Sequence, residues 1–204
     1  MQDIPLSALF ALLFILLMLS AFFSSSETGL MSLNRYRLRH LAKTKHKGAM
    51  RANQLLEKPD RLIGLILLGN NFVNILASSI TTIIALRLGG EGAIAIGAGL
   101  LTLAILIFSE VAPKTVAALY PEKIAFPSAL VYVPLLKLLY PIVMIINMLA
   151  NGFLRLFRIR LDAETDANLS PEELRTVVNE AGALIPKRHQ KMLLSILDLE
   201  KVSV

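Results

Sequence analysis

One apolar stretch, residues 62–86, constrains the fold of this chain more than any other feature. It reads LIGLILLGNNFVNILASSITTIIAL, and roughly 20 apolar residues in a helix span about 30 Å of bilayer hydrocarbon. Near its middle lie Asn70, Asn71 and Asn74, whose amides are costly at that depth unless something satisfies them. A helix places Asn70 and Asn74 on one face. The stretch therefore predicts a membrane-spanning helix whose asparagines either hydrogen-bond to neighbouring helices or supply a pair of neutral oxygen ligands.

The composition agrees with a membrane protein and excludes several other classes. Hydrophobic residues make up 55% of the 204, and the mean hydropathy is +0.63, so we expect an integral membrane protein. The net charge of +6 comes from basic residues clustered beside the apolar runs, which indicates the positive-inside rule rather than nucleic-acid binding. The chain has no cysteine and three histidines, all in polar surroundings. Thiolate metal sites are therefore excluded, and a soft-metal site is disfavoured.

The first apolar run, residues 5–23, is interpreted as a retained span because it lacks the basic start of a signal peptide. A polar patch, SSSETG at 24–29, follows at once. Three structures stay open for this patch: a plain helix end with a polar cap, a helix that continues, or a break inside the membrane. A break would present hydroxyl and carbonyl oxygens.

A charged block, residues 34–61, follows the first span and carries nine lysines and arginines against Glu57 and Asp60. A partial stripe of leucines predicts two short amphipathic helices on the membrane surface, broken near Lys47 and Gly48. The excess of positive charge places this block in the cytoplasm and the N-terminus outside.

The third apolar run, residues 93–108, is rich in alanine and glycine and is predicted to pack closely against another helix. Glu110 follows it, and Pro113 comes three residues later. A proline removes one backbone hydrogen bond and loosens the carbonyl of residue i−4, here Ser109. Glu110 either marks the aqueous end of the span and pairs with Lys114, or it is a functional acid within the membrane.

A fourth apolar region, residues 124–157, is interrupted by three prolines and ends in an arginine cluster. Because such clusters mark the cytoplasmic side, this region is predicted to be re-entrant or half-depth rather than a fourth full span. The expected fold class is an all-α membrane protein with three transmembrane helices, this re-entrant or half-depth segment, and juxtamembrane helices. We assign residues 1–160 to the transmembrane domain.

The last part of the chain, residues 161–204, is predicted to form a cytoplasmic helical bundle. A capping box at Ser170 and Glu173 starts a helix that Gly182 ends, and a second helix runs from about 186 to 199. Two amphipathic helices this short bury little surface alone. We therefore expect them to pair with the copies of a second subunit in a homodimer, and we expect a further domain after them in a longer native protein.

Three distant segments offer hard oxygen ligands: the hydroxyls of Ser24 and Ser26, the amides of Asn70 and Asn74, and the carboxylate of Glu110. These ligands suit a hard cation such as Mg²⁺, and one negative charge implies modest affinity, useful where the ion must leave again. Interrupted helices that meet at membrane depth commonly build transporter sites. The chain has no HExxH motif, no GxSxG motif and no pair of intramembrane aspartates, so we do not expect an enzyme.

Three motifs, FFSSSETGLMSLNRYRL, LLGNNFVNILASS and SEVAPKTVA, resemble the transmembrane domain of the CorC/CorB and cyclin M (CNNM) family in their order and spacing. The resemblance covers about residues 5–160. It implies a dimeric Mg²⁺ transporter of the inner (plasma) membrane, an exporter proposed to couple to Na⁺, with a nucleotide-regulated cytoplasmic CBS-pair domain after the bundle. The Mg²⁺ ligands that it implies, in an inward-facing site, fall on Ser24, Ser26, Asn70, Asn74 and Glu110. Family members often have glycine where this chain has Ser109, which leaves the geometry of a carbonyl ligand there open.

Two other functions fit the same residues. A non-transporting membrane sensor would bind Mg²⁺ and signal to the cytoplasmic domain, and purified protein that binds the ion without flux would favour it. A structural or regulatory membrane protein would use the polar groups only to hold helices together. Loss of dimer stability rather than of ion binding in asparagine variants would favour that role.

Overall fold

A computed structural model describes residues 4–156 together with Arg188, Met192, Leu194 and Ser195. In this part of the chain the regular secondary structure is entirely helical. The helices are α1 (Leu6–Met31), α2 (Arg35–Lys43), α3 (Lys47–Leu55), α4 (Pro59–Gly89), α5 (Ala93–Ala104), a π-helix (Ile105–Val111), α6 (Ala112–Leu119), α7 (Pro121–Leu138) and α8 (Tyr140–Leu156).

The chain divides into two compact units, Met1–Phe153 and Leu154–Val204. All contacts described below lie within the first unit. In the second unit, the described residues, 154–156 together with Arg188, Met192, Leu194 and Ser195, are helical. The predicted helix of residues 170–182, and most of the one predicted from 186 to 199, lie outside the described residues.

Three helical segments among the described residues are long and apolar enough to cross a membrane, and they coincide with the three segments predicted to be full spans. They are α1, α4 and the continuous segment Ala93–Leu119, which joins α5, the π-helix and α6. The region predicted to be re-entrant forms α7 and α8, which meet at Leu139. Its depth in the bilayer stays a prediction.

The first span continues through its polar patch, which was one of the three alternatives. A helix end and a break at the patch were both wrong. The helix α1 runs without interruption to Met31. The hydroxyl of Ser25 donates to the Phe22 carbonyl at 3.2 Å and that of Ser26 to the Phe23 carbonyl at 3.3 Å. These bonds to the preceding turn satisfy the hydroxyls without opening the helix.

The third span is longer than the sequence indicated, so Glu110 lies within the span and not after its end. We predicted that the apolar run ends at Phe108, but the helix continues to Leu119. The seven residues around Glu110 form a π-helix, at whose end the Ala112 amide bonds to the Ile107 carbonyl five residues earlier. Pro113 lies inside this continuous helix, at the second residue of α6, and has no N–H to donate to the preceding turn.

The charged block forms the two predicted amphipathic helices, with the break slightly earlier than expected. Asn34 caps α2 by accepting from the amides of Tyr36 and Arg37, each at 3.0 Å. Lys45, between α2 and α3, has a φ of 63°. The ion pair of Arg37 with Glu122 ties α2 to the start of α7.

The core of the first unit lies where α1 and α4 pack against α3 and α7. Leu30, Leu62, Leu65, Ile66 and Tyr132 are fully buried there. The helices α1 and α4 approach closely at Gly69, where an added Cβ atom would lie 2.5 Å from the Phe23 ring. This packing holds the polar residues of α1 and α4 side by side.

Candidate cation site

The carboxylate of Glu110 is contacted from two other spans. The Ser24 hydroxyl on α1 donates to Oε2 at 3.5 Å, and the Asn70 amide nitrogen on α4 donates to Oε1 at 3.4 Å. Ser24 is fully buried and Asn70 is 9% exposed, whereas the Glu110 side chain is 26% exposed. Three residues separated by 40 to 86 positions in sequence therefore meet at one acid.

Glu110 also forms an ion pair with Lys114. This pair was part of the alternative in which Glu110 marks the aqueous end of the span. Lys114 Nζ lies 2.8 Å from Oε2, and its side chain is 42% exposed. The carboxylate thus receives hydrogen bonds from a hydroxyl, an amide and an ammonium.

Asn70 is held by a serine that the sequence analysis missed. The fully buried Ser20 hydroxyl donates to Asn70 Oδ1 at 3.0 Å. This bond leaves the amide nitrogen facing Glu110, so the amide must rotate before its oxygen can bind a cation beside the carboxylate. A hydroxyl can accept as well as donate, so Ser20 can keep its bond to Asn70 after that rotation.

The Asn74 oxygen has no partner among the described residues. Its Oδ1 atom is buried, and Asn74 lies one helical turn beyond Asn70 on α4. A buried acceptor left without a hydrogen bond costs about 1–3 kcal/mol. Such an atom is a good candidate for a ligand to a cation.

Ser26 lies on another side of α1 from the Glu110 cluster. Its hydroxyl is 2.8 Å from the Tyr132 hydroxyl on α7, and it also bonds to the Phe22 carbonyl. The structure brings Ser24, Asn70 and Glu110 together but engages Ser26 with α7. A role for Ser26 as a ligand stays a prediction.

Ser109, which stands where the family often has glycine, anchors the π-helix to α1. It is fully buried, and its hydroxyl donates to the Leu17 carbonyl at 3.0 Å. The bond fixes the backbone next to Glu110. A carbonyl ligand at Ser109 stays a prediction.

Glu27 is a second acid near the site that the sequence analysis did not select. It lies one helical turn beyond Ser24 on α1, and Ser24 contacts the Glu110 carboxylate. The available signal was spacing, since Ser20, Ser24 and Glu27 recur every three to four residues and therefore share one helix face. Within the described residues, no group of three His, Cys, Asp or Glu side chains gathers into a metal cluster. The candidate cation ligands are therefore mainly neutral oxygens, from serine hydroxyls and asparagine amides.

These features define a class of protein: a helical membrane protein with a buried polar cluster, built around one carboxylate, between three spans. Residues 11–187 match the family described as the cyclin M transmembrane N-terminal domain. The chain belongs to this CNNM family, which confirms the resemblance drawn from its motifs.

The relatives of this chain include named membrane proteins. It is 53% identical over 186 residues to the UPF0053 inner membrane protein YfjD of Escherichia coli (strain K12), covering 91% of this chain and 44% of that one. It is 51% identical over 205 residues to a UPF0053 protein of Haemophilus influenzae, covering 100% and 49%. A protein of the same organism named polyamine export protein is 31% identical over 208 residues, covering 93% and 47%. The chain spans about half the length of these relatives.

Proposed function

We propose that this protein transports Mg²⁺ across the inner membrane, in the direction of export, through a site built on Glu110. The observation that carries the proposal is the contact of the Glu110 carboxylate with Ser24 and Asn70, one from each of the other two spans. An acid between spans, surrounded by side chains with hard oxygen atoms, has the chemistry that a hard divalent cation requires. The buried, unpartnered oxygen of Asn74 supports the same chemistry.

The proposed transport cycle needs little rearrangement of the helices. A cation that reaches Glu110 displaces the hydrogen-bond donors, the Asn70 amide rotates, and the Ser24 hydroxyl turns its oxygen inward. One carboxylate and several neutral oxygens hold Mg²⁺ only moderately, which allows release on the other side. Coupling to Na⁺, an inward-facing resting state, a homodimer and a following CBS-pair domain with nucleotide regulation are part of the proposal.

The test is Mg²⁺ flux into a dye-loaded lumen of proteoliposomes. We expect the unaltered protein to carry flux and Glu110→Gln to abolish it, since the amide keeps the shape but removes the charge. Glu91→Gln, which alters an exposed acid in the α4–α5 turn, is the matched control and should keep full flux. Equal flux in both variants would overturn the proposal, and Mg²⁺ binding without flux at any gradient would favour the sensor.

A second cargo, a linear polyamine, is favoured by a specific contact. The Glu110 carboxylate pairs with the Lys114 ammonium, a primary alkylammonium like those that end a linear polyamine, which supports this cargo. A relative is named a polyamine export protein. Competition decides between the cargoes: putrescine that blocks Mg²⁺ flux and is itself carried would favour the polyamine, and putrescine without effect would favour Mg²⁺.

A further inference from the structure

Lys114 stands between two acids on different spans. Its ammonium is 2.8 Å from Glu110 Oε2. Glu27 lies one turn beyond Ser24 on α1, and Lys114 lies one turn beyond Glu110 on the third span. Because Leu17 contacts Ser109 and Ser24 contacts Glu110, the two spans run side by side in the same direction, which brings Glu27 to the level of Lys114. No basic group among the described residues forms a direct ion pair with Glu27. Lys114 therefore has a second acid available to it.

A divalent cation bound at Glu110 would repel the ammonium and compete with it for the carboxylate. Mg²⁺ lies about 2.1 Å from its oxygen ligands, so on Glu110 it would be within about 5 Å of Lys114 Nζ in its present position. Like charges that close repel strongly where the surroundings are partly dry. The side chain of Lys114 is long and 42% exposed, so it can move away without repacking the core.

We propose that Lys114 is a tethered counter-cation of the candidate site, which leaves Glu110 for Glu27 when a cation binds. The inference rests on the proposed function, in which Glu110 binds the cargo. In the cation-free protein, the ammonium neutralises an acid that would otherwise be an uncompensated charge between spans. In the loaded protein, the return of Lys114 to Glu110 competes with the cargo and promotes its release.

The test is a double-mutant cycle on the Mg²⁺ dissociation constant, measured by calorimetry on the detergent-purified protein. Lys114→Met removes the competitor, so we expect binding about fivefold tighter, the upper end for partly exposed ion pairs. Glu27→Gln removes the second position of the ammonium, so Lys114 stays on Glu110 and binding weakens severalfold. In the Lys114→Met background, Glu27→Gln should change the affinity little. Lys123→Met, an exposed lysine that lies over the Tyr120 ring, is the charge-matched control.

Two results would overturn the proposal that Lys114 moves from Glu110 to Glu27. Unchanged or weaker binding by Lys114→Met would mean that the ammonium does not compete, and this result needs no other variant to fold. Equal weakening by Glu27→Gln with and without Lys114 would mean that Glu27 acts on the cargo directly through its charge. The proposed function fails separately, if Glu110→Gln still binds Mg²⁺ in the same assay.

Discussion

At the scale of single residues, the polar groups around Glu110 differ in what holds them in the cation-free protein. Ser24, Asn70 and Lys114 all donate to the carboxylate, so each must give up a hydrogen bond before a cation can bind. The Asn74 oxygen is buried without a described partner. Replacing Asn74 therefore breaks no described hydrogen bond of this oxygen. Its effect on the stability of the cation-free protein can be measured separately from its effect on cation binding.

We predict that Asn74→Leu stabilises the cation-free protein by about 1 kcal/mol, because leucine of similar volume removes an unsatisfied buried acceptor. The same variant should lose the rise in melting temperature that Mg²⁺ gives by binding the folded state. Thermal unfolding followed by circular dichroism, with and without Mg²⁺, measures both effects. Asn71→Leu, three residues earlier on α4 and exposed, should keep the Mg²⁺ effect. A less stable Asn74→Leu protein with an intact Mg²⁺ effect would contradict this role.

At the scale of helices, the sequence was informative wherever local periodicity decides the outcome. The three spans, the pair α2 and α3, and the Glu110–Lys114 pair follow from apolar run length, charge and i,i+4 spacing. The π-helix was not predictable, because the extra residue in its turn is set by packing and by the Ser109 bond to α1. Predicting the contact of Ser26 with α7 would have required knowing how α1 is rotated about its axis relative to its three neighbours. A single sequence does not contain this information.

We predict that Gly69→Ala destabilises the contact between α1 and α4, since the new Cβ atom would lie 2.5 Å from the Phe23 ring. A loss of about 1–3 kcal/mol is typical of overpacking in a well-packed core. Phe23→Leu should restore part of the stability in the double variant. Gly99→Ala on α5, whose Cβ atom would meet nothing within 4 Å, is the control. Equal unfolding temperatures for the two alanine variants would contradict the close approach.

At the scale of the whole molecule, the orientation in the membrane stays a prediction from the distribution of charge. The absence of cysteine from the chain makes this prediction testable by labelling. Nine basic residues lie in the block 34–61, whereas the turn between α4 and α5 carries Glu91. The positive-inside rule places the first in the cytoplasm and the second outside. The inward-facing site that we propose requires this orientation.

Single cysteines introduced into this cysteine-free chain report each side separately. We predict that Glu91→Cys reacts with a membrane-impermeant maleimide in intact spheroplasts, because its turn faces outward. Lys47→Cys, exposed at the start of α3, should react only after lysis. The reverse pattern would invert the orientation and make the proposed direction of transport untenable.

The central claim is that Ser24, Asn70 and Glu110 share one hard cation between three spans. The most direct measurement is anomalous scattering from Mn²⁺ substituted for Mg²⁺ in crystals of the protein. We predict one Mn²⁺ ion at about 2.1 Å from a Glu110 carboxylate oxygen, near the distance expected for Mg²⁺. The Asn70 amide oxygen should also be a ligand, and Lys114 should be displaced. A Mn²⁺ ion bound elsewhere, with Lys114 still on Glu110, would contradict the claim.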